Sequence, residues 1–473
     1  MEIVFPVSTA PGVNSTESGG RLINAYAEKA RDGSRSRYLY RRAPGLSTEL
    51  FATEAGHRGA LPVGNVLYVV TGDKVYRVYI SGGAFVSELV TGDAVPGTGP
   101  VFMARNMAAT PNVLIVTSAG MCEIDTSIPE VKDFADGDLP QVNSIAFLDS
   151  YFLVTSAAGQ VFASGINATS FAGTDFATAE SDPDGLVRAI ARDRDLLLMG
   201  DATTEFWANV GNPTGFPFTR GPVIPYGLFG PHAVAGHEPG WGNTPVFVAN
   251  DRTVRFLDGY DAVKISTPEL DRLLEAVVDP ATLHATAYVA AGHAFWSLTS
   301  PDWTWVFDKT ERTWHERQSY GSDRWRIAFC VRAFDRWLAF DRDSGSVYQI
   351  DERRRREVEA PLVWRVRSTQ AHAFPSRLIV NRASFDFLTA VGKDNGIDPI
   401  ETNPQVSISW SDDGGRTFGT PLLRRLGGTG EVTTVDIRRV GMTGPRGRMW
   451  ELAISDPVEV VLMGAAMDVE VVG

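Results

Sequence analysis

The sequence predicts an all-β protein whose main body is a β-propeller, and three observations predict it. A strand-turn-strand unit recurs along the chain at a period of about 45 residues. A continuous apolar run precedes most copies of that unit. Glycine and proline together supply about 15% of positions beside plentiful aromatic residues, the balance of an all-β chain with many turns. A length of 473 residues allows two domains, or one large propeller with an appendage.

The recurring unit is typified by Lys74-Val75-Tyr76-Arg77-Val78. It returns at residues 120–125, 159–163, 204–207, 253–258, 303–308 and 346–351. The apolar runs upstream lie at 66–71, 113–117, 151–155, 196–199, 246–249, 294–298 and 337–340. A middle strand covered on both faces by neighbouring sheets needs such a run. Seven units of this size fit the blades of a propeller, and irregular terminal repeats leave six or eight open.

Residues 1–51 read as an extended N-terminal arm, with Pro6, Pro11, Gly12 and Gly19-Gly20 ahead of Arg21-Leu22-Ile23-Asn24-Ala25-Tyr26. An arm with so little core must lie on another surface, its own domain or a neighbour. The blades are expected over 52–356. One helix interrupts them at about 267–279, with Thr267 as cap, Pro268 in the first turn and Leu270, Leu273, Leu274, Val277 and Val278 at helical spacing. The charge-dense run Glu352-Arg353-Arg354-Arg355-Arg356-Glu357 marks the next boundary, as a solvated turn or an intersubunit patch. Residues 357–473 change character. Alternation in Val406-Ser407-Ile408-Ser409-Trp410 predicts a separate β-sandwich-like domain with one buried face.

The formal net charge of −13 disfavours a generic affinity for nucleic-acid phosphates. Cys122 and Cys330 have no metal or redox spacing and read as free buried thiols of a reducing compartment. The N-terminus lacks the pattern of a signal peptide, and no apolar stretch approaches the length of a membrane span, so membrane insertion is not expected.

The motifs that carry chemistry are sparse. Ser411-Asp412-Asp413-Gly414-Gly415-Arg416-Thr417-Phe418 fits an Asp-box, in which Ser411, Asp413, Gly415, Thr417 and Phe418 serve a turn: the carboxylate accepts backbone N–H bonds and Gly415 takes a positive φ. Glu180, Asp182 and Asp184 cluster beside Pro183 and Gly185, which suits an inter-blade turn better than a calcium loop. The seven histidines are scattered, and no HExxH, GxSxG, Walker A or dinucleotide glycine pattern occurs. No catalytic, metal or cofactor-binding residue is therefore assigned, and no enzyme is expected. Trp303, Trp305, Trp314, Trp325 and Trp337 read as packing between blades, with a sugar-stacking surface as the alternative.

Four segments carry a resemblance. They are Arg21-Leu22-Ile23-Asn24-Ala25-Tyr26 with Tyr38-Leu39-Tyr40 and Pro44-Gly45-Leu46, then residues 179–186, then Ile265-Ser266-Thr267. The fourth runs from Arg438-Arg439-Val440-Gly441 through Trp450-Glu451-Leu452 to Gly464-Ala465. In these the chain resembles the packaged-DNA stabilisation proteins of short-tailed bacteriophages, also called tail accessory factors or tail nozzle proteins. The resemblance implies a structural virion protein without catalytic residues, assembled in the host cytoplasm. It implies a self-assembled ring, commonly a hexamer, below the portal and its adaptor. That ring holds packaged double-stranded DNA, passes it out without sequence-specific binding, and meets a needle, fibre or spike protein. Arg21, Asn24, Tyr26, Arg353, Arg354, Arg355 and Arg356 are then the expected oligomer or partner contacts. The competing expectation is a glycan-binding or sialidase-like propeller acting on host-surface sugars.

Overall fold

The computed structural model describes residues 1–34, 36–179, 185–212 and 215–472, and it is an all-β propeller. The chain forms two compact units. One comprises Glu49–Val289 and Arg326–Gln349; the other comprises Met1–Thr48, Ala290–Trp325 and Ile350–Gly473.

In the first of these, five antiparallel four-stranded repeats follow one another in chain order. The first consists of His57–Val63, Val66–Thr71, Lys74–Ser81 and Ala84–Gly92. The others begin at Phe102–Arg105, Val142–Leu148, Leu186–Arg192 and Val234–Ala235. His284–Ala290 opens a sixth repeat, and Ile327–Ala333 with Arg336–Asp341 opens a seventh. The seventh is completed from the other end of the chain, because Phe51 and Ala52 pair with Val347 and Ser346.

The continuous apolar runs are second strands, and their alternation explains why both faces are apolar. Leu67 and Val69 pack with Leu338 and Phe340 of the seventh repeat. Tyr68 and Val70, one residue out of phase, pack with Val113 and Ile115 of the second. Leu114 and Val116 turn to Phe152 and Val154 of the third, and Leu153 turns to Leu196 and Leu198 of the fourth. Leu197 and Met199 then meet Phe247 and Ala249 of the fifth. Each second strand feeds two dry layers, so a period-2 pattern would leave one interface polar.

First strands converge at the centre of this unit. The His232 ring stacks on Phe102 at 4.8 Å and on His284 at 5.5 Å, and the Arg188 guanidinium covers Phe102 at 4.7 Å. These side chains come from or beside the first strands of the second, fourth, fifth and sixth repeats. At residues 236–245 the fifth repeat has a long loop where the third and fourth have tight turns. Gly240 in it, at φ +91°, lies so close to the seventh repeat that a Cβ there would stand 2.3 Å from Arg332 Nη1. The Arg332 side chain could move aside, so it is the positive φ that favours glycine there.

The helix occupies Pro268–Glu275, shorter than the expected 267–279, and buries Leu270 and Leu274. Thr267 makes no side-chain cap bond, which corrects the expectation for that residue. Ser266 instead bonds Asp271, and Asp279 caps a separate short 3-10 turn at Pro280–Thr282. Val278 is left outside the helix and exposed.

The other unit is a β-sandwich. One sheet runs His293–Thr299, Thr304–Asp308, Thr313–Glu316, Arg21–Ile23, Trp364–Arg367, Met449–Ile454, Gln405–Ser411, Leu422–Arg425. The second runs Ala25–Lys29, Tyr38–Arg42, Val461–Val472, Arg377–Phe387, Val435–Met442. Leu22, Trp364, Val366, Ile408, Trp450 and Leu452 of the first sheet meet Tyr40, Val380, Phe385, Ile437, Leu462 and Met467 of the second. The N-terminal segment thus supplies a central strand to one sheet and a hairpin to the other.

Candidate functional site

Asn24 is the point where the N-terminal segment changes sheets. It holds φ +51°, a left-handed conformation that asparagine tolerates better than most residues. Its Nδ2 donates to the carbonyls of Gln318 (2.9 Å) and Val363 (3.0 Å), and its Oδ1 accepts from Gln318 N (3.0 Å). Just before it, Arg21 forms a two-pronged ion pair with Glu316, which also accepts from Thr9 Oγ1 at 2.8 Å. Just after it, Tyr26 is 2% exposed, with its ring 4.9 Å from His293 and 5.5 Å from Phe295. Burial pushes its phenol well above the ordinary tyrosine range. All three expected contact residues are integrated into the sandwich unit.

The arginine turn lies differently. Arg353 and Arg354 are exposed, while Arg355 and Arg356 are half-buried. Arg356 stands 3.8 Å from Glu359, and Arg355 donates to the Glu352 carbonyl. Arg355 and Tyr26 line one open cavity of about 490 Å³, together with Glu28, Arg41, Arg42, Ala291, Gly292, Glu352, Glu459 and Val460. Two expected contact residues, far apart in sequence, thus meet at one site, and Arg41 and Arg42 complete it. A signal for that pair was available in Tyr38-Leu39-Tyr40-Arg41-Arg42. On an alternating strand two successive arginines face opposite sides, so one of them shares the buried face of Tyr40.

Arg42 is that one. It is 7% exposed, and its donors go to the carbonyls of Asp456 (2.9 Å), Ile454 (2.9 Å) and Arg355 (3.3 Å). Its Nε has no hydrogen-bond partner. Burial first, and the nearby Arg355 second, lower its pKa to about 9. Arg41, by contrast, pairs with Glu28 and lies 4.0 Å from Glu459.

A second buried polar group escaped the sequence reading. Glu357, last of the charged run, accepts from Arg317 Nη2 (3.0 Å), Trp325 Nε1 (2.9 Å) and Ser319 Oγ (2.6 Å). Arg317 also donates to Pro44 O (2.6 Å) and covers the Trp325 ring at 4.9 Å. Trp305, Trp314 and Trp325 are each at most 2% exposed and Trp337 is buried too, so these four present no face for stacking a sugar, while Trp303 is half-buried.

In the Asp-box, Asp413 Oδ1 accepts from Ser411 Oγ (2.7 Å), Arg416 N (3.0 Å) and Thr417 N (3.0 Å), and its Oδ2 accepts from Thr417 Oγ1 (2.6 Å). These bonds, led by that from Thr417 Oγ1, hold its pKa well below the ordinary carboxylate range. Gly415 sits at φ +84°, and Arg367 covers Phe418 at 4.7 Å. Next to the box, Asp412 takes both prongs of the buried Arg448, each at 2.8 Å. Glu180, Asp182 and Asp184 lie outside the described residues. Among the described residues no group of three or more His, Cys, Asp or Glu side chains could hold a metal ion. None of their helices is long and apolar enough to cross a membrane. Cys122 and Cys330 are buried and in no disulfide.

Repeats sealed by dry interfaces define a β-propeller. The family model of bacteriophage P22 Gp10, a β-propeller family, matches residues 21–354, and the chain belongs to that family. It is a phage structural tail protein. No curated protein matches the chain. Among solved structures, it is similar to PorZ, a bacterial surface component of the type-IX secretion system of Porphyromonas gingivalis, at 10% identity and a TM-score of 0.38. That likeness covers 64% of this chain and 37% of PorZ, so the chain spans well under half of that protein. It is also similar to the computationally designed Ika8 protein, at 12% identity and a TM-score of 0.41, covering 70% of this chain and 100% of Ika8.

Proposed function

We propose that this protein is a tail nozzle: copies form a ring, expected to be a hexamer, below the portal and adaptor, which retains packaged DNA and forms the channel for its ejection. The family match over residues 21–354 is the observation that carries the reading. Two physical features support it. The rings of Phe102, His232 and His284 stack where first strands of the first unit converge, which favours a duplex path between copies over one along a propeller axis. A net charge of −13 repels phosphates and lets DNA slide without being gripped. Ring closure needs a heterologous contact. The exposed Arg353 and Arg354 turn supplies one side of it, while Arg21 and Asn24 bond within the protomer. The adaptor would meet one face of the ring, and a needle, fibre or spike protein the other.

The mass of the assembled particle tests the proposal. Native mass spectrometry of the purified protein, with and without adaptor, is expected to give a closed ring of six protomers. A protein that stays monomeric at all concentrations, adaptor present, overturns it. Turnover of a fluorogenic glycoside, lost on changing one carboxylate, would transfer the assignment to the glycan-active reading.

A further inference from the structure

Charge is divided unequally between the two units. The unit Glu49–Val289 with Arg326–Gln349 holds 31 of the 57 acidic residues and 17 of the 44 basic ones, and so carries −14. The other unit holds 26 and 27, and carries +1. Copies that meet through two acidic units repel, while unlike units can meet without that cost. A closed ring needs the second kind of contact, because it joins unlike surfaces head to tail.

The acidic unit has an open cavity of about 940 Å³ on its strand turns. Asp149 follows Val142–Leu148 and Asp193 follows Leu186–Arg192, each in the turn before the second strand of its repeat. These two and Glu238 are its carboxylates, Met107, Phe147 and Trp241 are apolar walls, and among the described residues no lysine or arginine lines it. Met107 is 69% exposed. Glu238 is already engaged, by Gly236 N at 2.5 Å and by the attraction of Arg188. Asp193 is exposed and accepts from the neutral Asn243 amide. Asp149 is exposed, and its carboxylate has no partner among the described residues.

The complement lies on the other unit. Arg353 N and Arg354 N both bond Asp351, and a Cβ on Gly45 would stand 2.6 Å from Arg354 O, so the turn is held against the strand beside it. The guanidinium groups of Arg353 and Arg354 are exposed and have no partner among the described residues. We propose that the arginine turn of one copy docks in the acidic cavity of a second copy, a contact that rests on the ring reading and closes that ring. Arg353 and Arg354 face Asp149 and Asp193, and their methylene stems lie on Met107 and Phe147.

Particle mass of the full chain, with adaptor present, tests the pairing by charge reversal. Arg353→Glu with Arg354→Glu is expected to weaken assembly at least about tenfold, and so is Asp149→Lys with Asp193→Lys. Each of these proteins keeps one natural half of the contact. An equimolar mixture of the two is therefore expected to restore a ring, with the variants alternating. Asp149 and Asp193 hold φ of +49° and +51°, so thermal unfolding checks that the lysine variant is folded. Asp149→Asn with Asp193→Asn suits that backbone, and is expected to weaken assembly without reversing the charge. A ring from either reversal variant alone at the wild-type concentration overturns the pairing. So does a mixture of folded variants that stays monomeric, or normal assembly of the asparagine variant. An arginine variant that keeps its ring but binds duplex DNA less tightly assigns the turn to the DNA path, and overturns the pairing too. In all these cases the wild-type ring stands, whereas a wild-type chain that never assembles removes the ring reading itself.

Discussion

Two residues show how the sandwich unit is held by single polar positions. Glu357 and Arg317 are each 1% exposed, and Arg317 leaves Nε and Nη1 without hydrogen-bond partners. The carboxylate is the anion that makes the buried guanidinium tolerable. Removing one member of such a pair costs about 3–5 kcal/mol, because the other charge stays buried. Glu357→Ala is therefore expected to lower the denaturant midpoint strongly, and Glu357→Gln less, since it keeps an acceptor for Trp325 Nε1. Similar midpoints for both variants would show that shape and not charge matters there. Asn24 gives the second case. Asn24→Ala loses three hydrogen bonds and places an alanine in left-handed backbone, at a cost of about 2–4 kcal/mol. Asn24→Gly loses the same bonds without the strain, so it should destabilise less in the same assay.

At the scale of elements, the closing strand of the seventh repeat is the most exposed to perturbation. It is only Phe51–Ala52, yet Phe51 packs in one cluster with Leu67, Val69 and Val347. Phe51→Ala should cost about 3–5 kcal/mol, while changes at the exposed Ala52 should cost little. Thermal unfolding of the two variants checks the contrast. The same elements explain what was legible beforehand. Each second strand announces itself because two-sided burial forces a local run of apolar residues, as in Val66–Thr71. The partners of short strands carry no such mark. Ile23 lies opposite Glu316 and Ser346 opposite Ala52, pairings about 300 residues apart that no local pattern encodes. The sequence therefore presents residues 1–51 as an arm without core, while its strands are sandwich and blade. Within the candidate site, Tyr26 and Arg355 were visible as residue types, but their meeting with Arg42 depends on strand pairing at long range.

For the whole molecule, buried histidines set the acid limit. Burial first, and Arg342 next, depress His284 to about 4; burial, Arg317 and His293 depress His315 to about 3. Burial, with Arg188 and His284, also lowers His232. A depressed histidine stays neutral in the fold while the unfolded chain takes up a proton near pH 6.5, so stability is lost as pH falls below that value. His293 runs the other way. Burial opposes its charge, but Asp308 at 2.6 Å overcomes that and raises its pKa, so its contribution is full below pH 6.5 and fades as pH rises through the raised value. At pH 5, His284 and His315 each cost about 2 kcal/mol relative to pH 8, by 1.36 kcal/mol per decade of proton binding, and His293 offsets only part of this. Unfolding free energy is thus expected to drop between pH 7 and pH 5, ahead of carboxylate titration. His284→Gln and His315→Gln should each flatten that slope. His284 lies in the unit Glu49–Val289 with Arg326–Gln349 and His315 in the other, so two separate melting steps would each respond to its own variant. A pH-independent midpoint over this range would mean that water reaches these rings in the folded protein.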